Sequence, residues 1–165
     1  MMKNKNEESV QIRRFTESDL HGVHETIMKS LYSDLLAKVY EPSKFIIWRD
    51  VYTPKYILGL SKMRHLYVAV YKEQIVGCAA VSQDKSMAYI GCVYIDSDYQ
   101  GLKIGKKLMS ALEKDEISIN AGKMFLHAVL TAIKFYKKMG FHYEKEYPEI
   151  ILDSGIEVVT MVKEL

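Results

Sequence analysis

Apolar positions recur along this chain in two rhythms, and each change of rhythm marks an element. Val10, Ile12 and Phe15 read as a first strand over residues 10–15. Thr16-Glu-Ser-Asp19 then offers a capping hydroxyl or carboxylate with acids in the first turn, a helix start. Leu20, Val23, Ile27 and Leu31 follow at spacings of three and four, the stripe a core-facing helix requires. Pro42 breaks that pattern, and a second helical zone over residues 43–62 is interrupted by Pro54. Alternation returns in residues 66–71 and 75–81, separated by the polar turn Lys72-Glu-Gln74. Residues 83–85 turn the chain into a further strand that ends at Ile95.

The second half begins with a helical pattern carried by Ile104, Leu108, Met109 and Leu112, with Gly122 as its stop. Residues 124–130 form another buried strand, and a short helix carries Ala132, Phe135 and Tyr136. Residues 142–146 and 156–162 read as the last two strands, joined around Asp153-Ser-Gly155. This order predicts an α/β fold: a mixed central sheet of about six to seven strands with about four helices on its two faces. Residues 1–9 read as a solvated tail, and the absence of repeats and linkers predicts one domain over residues 1–165.

Composition narrows the class. With 48% hydrophobic and 27% charged residues, the chain belongs among globular proteins rather than disordered ones. A formal net charge of +2 argues against a dedicated nucleic-acid surface, because lysines are balanced by acids. No apolar run approaches the ~20 residues of a membrane span. The N-terminal residues lack the apolar core of a signal peptide, so the expected compartment is the cytoplasm. Cys78 and Cys92 both lie in apolar strand patterns, where buried free thiols are usual, and no metal site is expected.

The chemistry concentrates where the strand ending at Ile95 passes through the polar turn Asp96 to Asp98 into Gly101, Gly105 and the following helix. The first N–H groups of a helix have no partner within it and favour an anion. Glycine lets another group approach that backbone, so such a turn suits a phosphate or pyrophosphate. Lys103, Lys106 and Lys107 bring positive charge to a first turn, the wrong sign for helix stability alone. A tight connection with lysines on a solvated face is the plainer reading of the same residues. The chain has neither a Walker loop nor a G-x-G-x-x-G fingerprint here.

Gln100-Gly-Leu-Lys-Ile-Gly105 and Phe135-Tyr-Lys-Lys-Met-Gly-Phe141, in this order and spacing, resemble the GCN5-related N-acetyltransferases over about residues 86–141. In that family R/Q-x-x-G-x-G/A cradles the pyrophosphate of acetyl-coenzyme A. Gln100 and Gly105 match its ends, while Lys103 stands where the middle glycine is usual. Val129 stands where many members carry an asparagine that helps hold the cofactor. The resemblance implies a sheet splayed between its fourth and fifth strands, with the pantetheine arm pairing there. It assigns pantetheine contacts to Val93 and Ile95 with Tyr94 between them. The pyrophosphate falls to the backbone of Gln100, Gly101, Leu102, Lys103, Ile104, Gly105 and Lys106.

The implied activity is acetyl transfer from acetyl-coenzyme A, without a metal, to a primary amine of a small molecule or peptide by direct attack in a ternary complex. Tyr136 aligns with the tyrosine that protonates the departing thiolate. A phenol of pKa ~10 stays protonated at neutral pH, as that task needs. The base is less defined: His127 is the first candidate, with Glu73, Asp84, His24 and Glu25 behind it. Aromatic residues Tyr32, Tyr40, Phe45, Trp48, Tyr52 and Tyr56 either wall the acceptor site or pack the helices onto the sheet. Expected partners are therefore the amine acceptor, neither nucleic acid nor membrane, with a homodimer among the assemblies allowed. The alternative function is a module that binds or senses acetyl-coenzyme A without turnover.

Overall fold

A strand that is apolar on both faces must be covered on both, and residues 76–81 form such a run, wholly buried. In the computed structural model, which describes residues 9–99, 101–145, 149–151 and 155–165, this run lies inside a mixed sheet with helices on either side. The strands are β1 (Gln11–Arg14), β2 (His65–Tyr71), β3 (Gln74–Asp84), β4 (Met87–Ile95), β5 (Lys123–Val129), β6 (His142–Tyr143), β7 (Glu149–Ile151) and β8 (Ile156–Glu164). They lie in the order β1-β2-β3-β4-β5-β8-β6, and β7 also pairs β8. Only β4 and β5 run parallel among these pairs. The helices are α1 (Leu20–Leu31), α2 (Asp34–Ala37), α3 (Ser43–Val51), α4 (Pro54–Met63), α5 (Ile104–Glu113), α6 (Glu116–Ala121) and α7 (Ile133–Lys138).

The α/β class and the order of the main elements are as the residue pattern predicts. The two proline breaks fall where expected, since α3 follows Pro42 and α4 begins at Pro54. The additional elements are short. The helix expected to reach Gly122 is two helices, because Asp115 accepts the N–H of Ile117 and caps a new start. β7 adds an eighth strand beside β8.

Two cores result, one on each face. On one face α5 lays Ile104, Leu108, Met109 and Leu112 against Val76, Ala79, Ile90 and Leu126. Leu108, Met109 and Leu112 are fully buried, and each such burial stabilises by about 1.5–3 kcal/mol. On the other face Val23, Ile27, Phe45, Ile57 and Leu60 cover Leu66, Val68, Cys78 and Ala80. Alternation along β4 and β5 therefore sends Ile90, Leu126 and Ala128 to the α5 side and Tyr89, Gly91, Phe125 and His127 to the α1–α4 side. Among the described residues no helix is long and apolar enough to cross a membrane.

Candidate active site

The pairing of β4 with β5 stops halfway. Ala88, Tyr89 and Ile90 pair with Met124, Phe125 and Leu126, and the residues beyond them on both strands have no register partner across this seam. A β-bulge contributes: Ala80 faces Gly91 and Cys78 faces Tyr94, so Cys92 and Val93 together oppose Ala79. Cys92 occupies the left-handed region at φ 54°, which bends β4 at the point where the seam opens. Beyond the bulge, the Asp96 N–H donates to Val76 O at 2.9 Å, on the β3 side. Strand alternation then turns the backbone groups of Val93 and Ile95 toward the open seam. These are the two residues assigned to the pantetheine arm from sequence, with Tyr94 facing β3 between them.

The turn that follows is held by Asp96, whose carboxylate is buried. It accepts the Asp98 N–H at 3.0 Å and the Lys29 Nζ at 3.0 Å. Gly101 and Lys103 then both take left-handed backbone, at φ 85° and 55°. The conformation glycine adopts at no cost is thus kept at Lys103 by a residue that bears a Cβ, at a cost of roughly 1–2 kcal/mol. α5 starts immediately after, and its first internal bond runs from the Lys107 N–H to Lys103 O at 3.0 Å. No side chain caps this end and no acid lies in its first turn. The N–H groups of Ile104, Gly105 and Lys106 are left without helix partners, beside the exposed Lys103 and Lys106 side chains. Leu102 and Ile104 pack their side chains into the core, so what they offer outward is backbone. Lys107 turns away, donating to Val10 O at 3.3 Å. Gln100 lies outside the described residues.

Gly105 has a second reason to be glycine that the sequence reading did not contain. A Cβ there would lie 2.9 Å from Phe135 Cζ and 3.0 Å from Ile95 Cδ1. Its missing side chain lets α5, α7 and β4 close on one another, while its N–H stays on the open end of the helix.

Tyr136 comes from α7 on the α5 face. Its ring packs against Phe135 and Phe141 at 5.1 and 5.8 Å between centroids. The side chain is 6% exposed, and burial, with a smaller contribution from Tyr89, pushes the phenol well above its ordinary pKa. The loop leading to α7 is anchored by Tyr40, whose hydroxyl accepts the Leu130 N–H at 2.8 Å and donates to Glu157 O at 2.7 Å. That phenol, contributed by the segment between α2 and α3, ties the end of β5 to β8 next to Val129. Nothing in its sequence surroundings marks it as an anchor.

His127 sits on β5 just past the last β4 pair, on the face opposite Tyr136. It is exposed, with Nδ1 3.0 Å from Thr160 Oγ1 and its ring near those of Tyr89 and Phe125. His127 and Tyr136 therefore lie on opposite faces of the sheet. Of the weaker base candidates, Glu73 in the β2–β3 turn and Glu25 on α1 line one cavity with Asp19 and Asp96, while Asp84 ends β3 and His24 belongs to α1.

The other aromatics divide by role. Phe45 is buried between Tyr40 and Trp48, and Tyr32 is exposed under the Arg49 guanidinium. Tyr56, Tyr52 and Tyr94 form a chain of edge-to-face contacts at 5.5 and 5.3 Å that reaches the seam. Burial, with Cys92 close by, raises the Tyr52 phenol, and burial raises that of Tyr94. Arg64 lies over the Tyr89 ring at 5.2 Å. Its Nη1 occupies the space where a Gly91 Cβ would stand, 2.9 Å away. Sequence reasoning missed this pair; the signal was a glycine inside a strand pattern, which marks a close approach.

A family model described as an acetyltransferase (GNAT) domain matches residues 49–165. No curated protein sequence matches the chain. Among solved structures, a GCN5-related N-acetyltransferase from Rhodopseudomonas palustris aligns at 21% identity over 95% of this chain and 96% of its own, with a TM-score of 0.82. The PaiA N-acetyltransferase of Thermoplasma acidophilum, in complex with coenzyme A, aligns at 21% identity over 95% and 99%, with a TM-score of 0.80. The ribosomal-protein-S18-alanine N-acetyltransferase of Escherichia coli aligns at 14% identity over 94% and 93%, with a TM-score of 0.67.

Proposed function

The chain belongs to the GNAT acetyltransferase family, and on that premise we propose that it moves an acetyl group from acetyl-coenzyme A to a primary amine by direct attack in a ternary complex. The observation that carries this reading is the seam that stops at Ile90 and Leu126 beside the uncapped start of α5. One feature offers unpaired strand backbone to an amide-bearing arm, and the other offers N–H groups and lysine charge to a pyrophosphate. Val93 and Ile95 take the first role. Gly101, Leu102, Lys103, Ile104, Gly105 and Lys106 take the second, with Gln100 assigned on the motif alone.

In the reaction the neutral amine attacks the thioester carbonyl, the C–N bond forms, and the C–S bond breaks with its electron pair leaving on sulfur. The ammonium must first lose a proton to give the neutral amine, and His127, on the α1–α4 side of the seam, is the base we assign. The attacking nitrogen sheds a second proton to solvent as the intermediate collapses to the amide. On the other side Tyr136 faces the departing sulfur. Its raised pKa keeps the hydroxyl protonated, so it can donate but cannot serve as the base. A thiol of pKa ~8.5 is the stronger acid, so the phenol serves by hydrogen-bonding the developing thiolate, and solvent supplies the final proton.

A mere sensor of acetyl-coenzyme A has no use for a hydroxyl held beside the seam without a hydrogen-bond partner among the described residues. Isothermal calorimetry with acetyl-coenzyme A, followed by coenzyme A release across an amine panel, tests the reading. Binding with release is expected. Absence of binding at millimolar acetyl-coenzyme A overturns the assignment, and binding without release from any amine favours the sensor.

A further inference from the structure

Resting on that acetyltransferase reading, we infer that the acceptor is a small amine carrying an anionic group, a carboxylate or phosphonate, on an apolar body, with the anion received by Arg64. A cavity of about 760 Å³ opens along the flank of α4, floored by Val51, Tyr56, Leu60 and Met63. Lys55 and Arg64 supply its charge, and neither aspartate nor glutamate is in its described lining. Among the described residues neither cation is held in an ion pair.

Two lines of side-chain contact run from the cavity lining to the seam. Tyr56 leads through Tyr52 to Tyr94, between the two residues assigned to the pantetheine. Arg64 lies on Tyr89 and fills the space over Gly91, the first β4 residue beyond the last pair with β5. An anion held at Arg64 is therefore beside the open seam, on the His127 side. A guanidinium presents paired donors that match a carboxylate, which makes it the better receiver of the two cations. The same charge opposes a protonated amine and favours its neutral, nucleophilic form, and it repels a polyamine.

The test uses 4-(aminomethyl)benzoate, its primary amide, the matching phosphonate, L-phenylalanine, its amide, and spermidine as acceptors. The acids are expected to exceed their amides in kcat/KM by roughly ten- to hundred-fold, the range of one charge-assisted hydrogen bond. The carboxylate and phosphonate arms identify which anion the site takes. In Arg64→Gln the acid-to-amide ratio is expected to fall to near unity through KM, while acetyl-coenzyme A affinity holds; Arg64→Lys should keep part of the preference. Amides or spermidine turned over as well as the acids by the parent enzyme overturn the inference, whatever the variants do. So does a preference that survives in folded Arg64→Gln, or turnover of none of these acceptors by an enzyme that binds acetyl-coenzyme A and acetylates another amine. Failure of the parent to bind acetyl-coenzyme A brings down the acetyltransferase reading instead.

Discussion

Gly105 and Phe135 meet with no room for a side chain between them, since a Cβ on the glycine would stand 2.9 Å from the ring. Gly105→Ala should therefore destabilise the protein by about 1–3 kcal/mol, the usual cost of overpacking. Phe135→Leu should relieve part of that cost when combined with it. Denaturant unfolding of the two single variants and the double variant measures the coupling. Additive losses would mean that the contact is not what requires glycine.

Tyr136→Phe keeps the ring and its packing against Phe135 and Phe141 and removes one hydroxyl. Turnover should fall by ~100-fold or more, as for loss of one positioned hydrogen-bond donor to developing negative charge, with the acetyl-coenzyme A dissociation constant unchanged. Single-turnover measurements separate the chemical step from product release. Equal rates for the variant and its parent would reduce Tyr136 to a core residue.

Lys103 takes a left-handed conformation at φ 55°, which only glycine adopts freely. Lys103→Gly should raise stability by roughly 0.5–1 kcal/mol, because the relief of strain exceeds the added entropy of the unfolded chain. It should weaken acetyl-coenzyme A at low salt, where the lost charge counts, and much less at high salt. A lower melting temperature would contradict the first half, and a salt-independent change in affinity the second.

Tyr40→Phe leaves the Leu130 N–H and the Glu157 carbonyl without the phenol that joins them. The ring stays packed on Phe45, so the fold should persist with a loss of about 1–3 kcal/mol. Hydrogen exchange should speed up at Leu130 and through α7 before it does so in α5. Uniform acceleration across the sheet would show a general effect and not an anchor for the β5–α7 loop.

Asp115 ties β2 to the start of α6, accepting from Tyr67 Oη at 2.7 Å and from the Ile117 N–H at 2.9 Å, with His65 Nδ1 also at 2.9 Å. Burial works against its charge, but these hydrogen bonds outweigh it and hold the carboxyl below its ordinary pKa. A depressed folded pKa gives stability that is present above the unfolded value, ~3.9, and lost as pH falls through the folded one. Melting temperatures followed from pH 6 downward should drop in the parent and drop less steeply in Asp115→Asn. Parallel curves would place the acid sensitivity elsewhere, Asp19 beside Arg13 being the next site with a lowered carboxyl.

What could be read from the residues was whatever is written in short range. The apolar run into Asp96, the glycines of the turn and the stripe on α5 lie within thirty consecutive positions, and they mark the seam and the helix start directly. Asp115 was legible as a cap only in hindsight, since a six-residue helix has too few turns to show a stripe. Tyr40 and Arg64 were not legible. Tyr40 bonds residues 90 and 117 positions away, and Arg64 reaches Tyr89 and Gly91 across two strands. Such relations come from how the layers stack, and a local pattern does not encode them.

The seam between β4 and β5 also has a meaning for the protein without its substrate. An edge strand is normally a liability that a sheet keeps at its margins, yet here an unpaired edge is built into the middle. The protein is in this sense one strand short, and in the proposed complex the pantetheine supplies that strand. Any ligand that binds only the folded form stabilises it by mass action. Durability in the cell would then follow the supply of acetyl-coenzyme A, so that a starved pool would leave the enzyme both idle and more readily degraded.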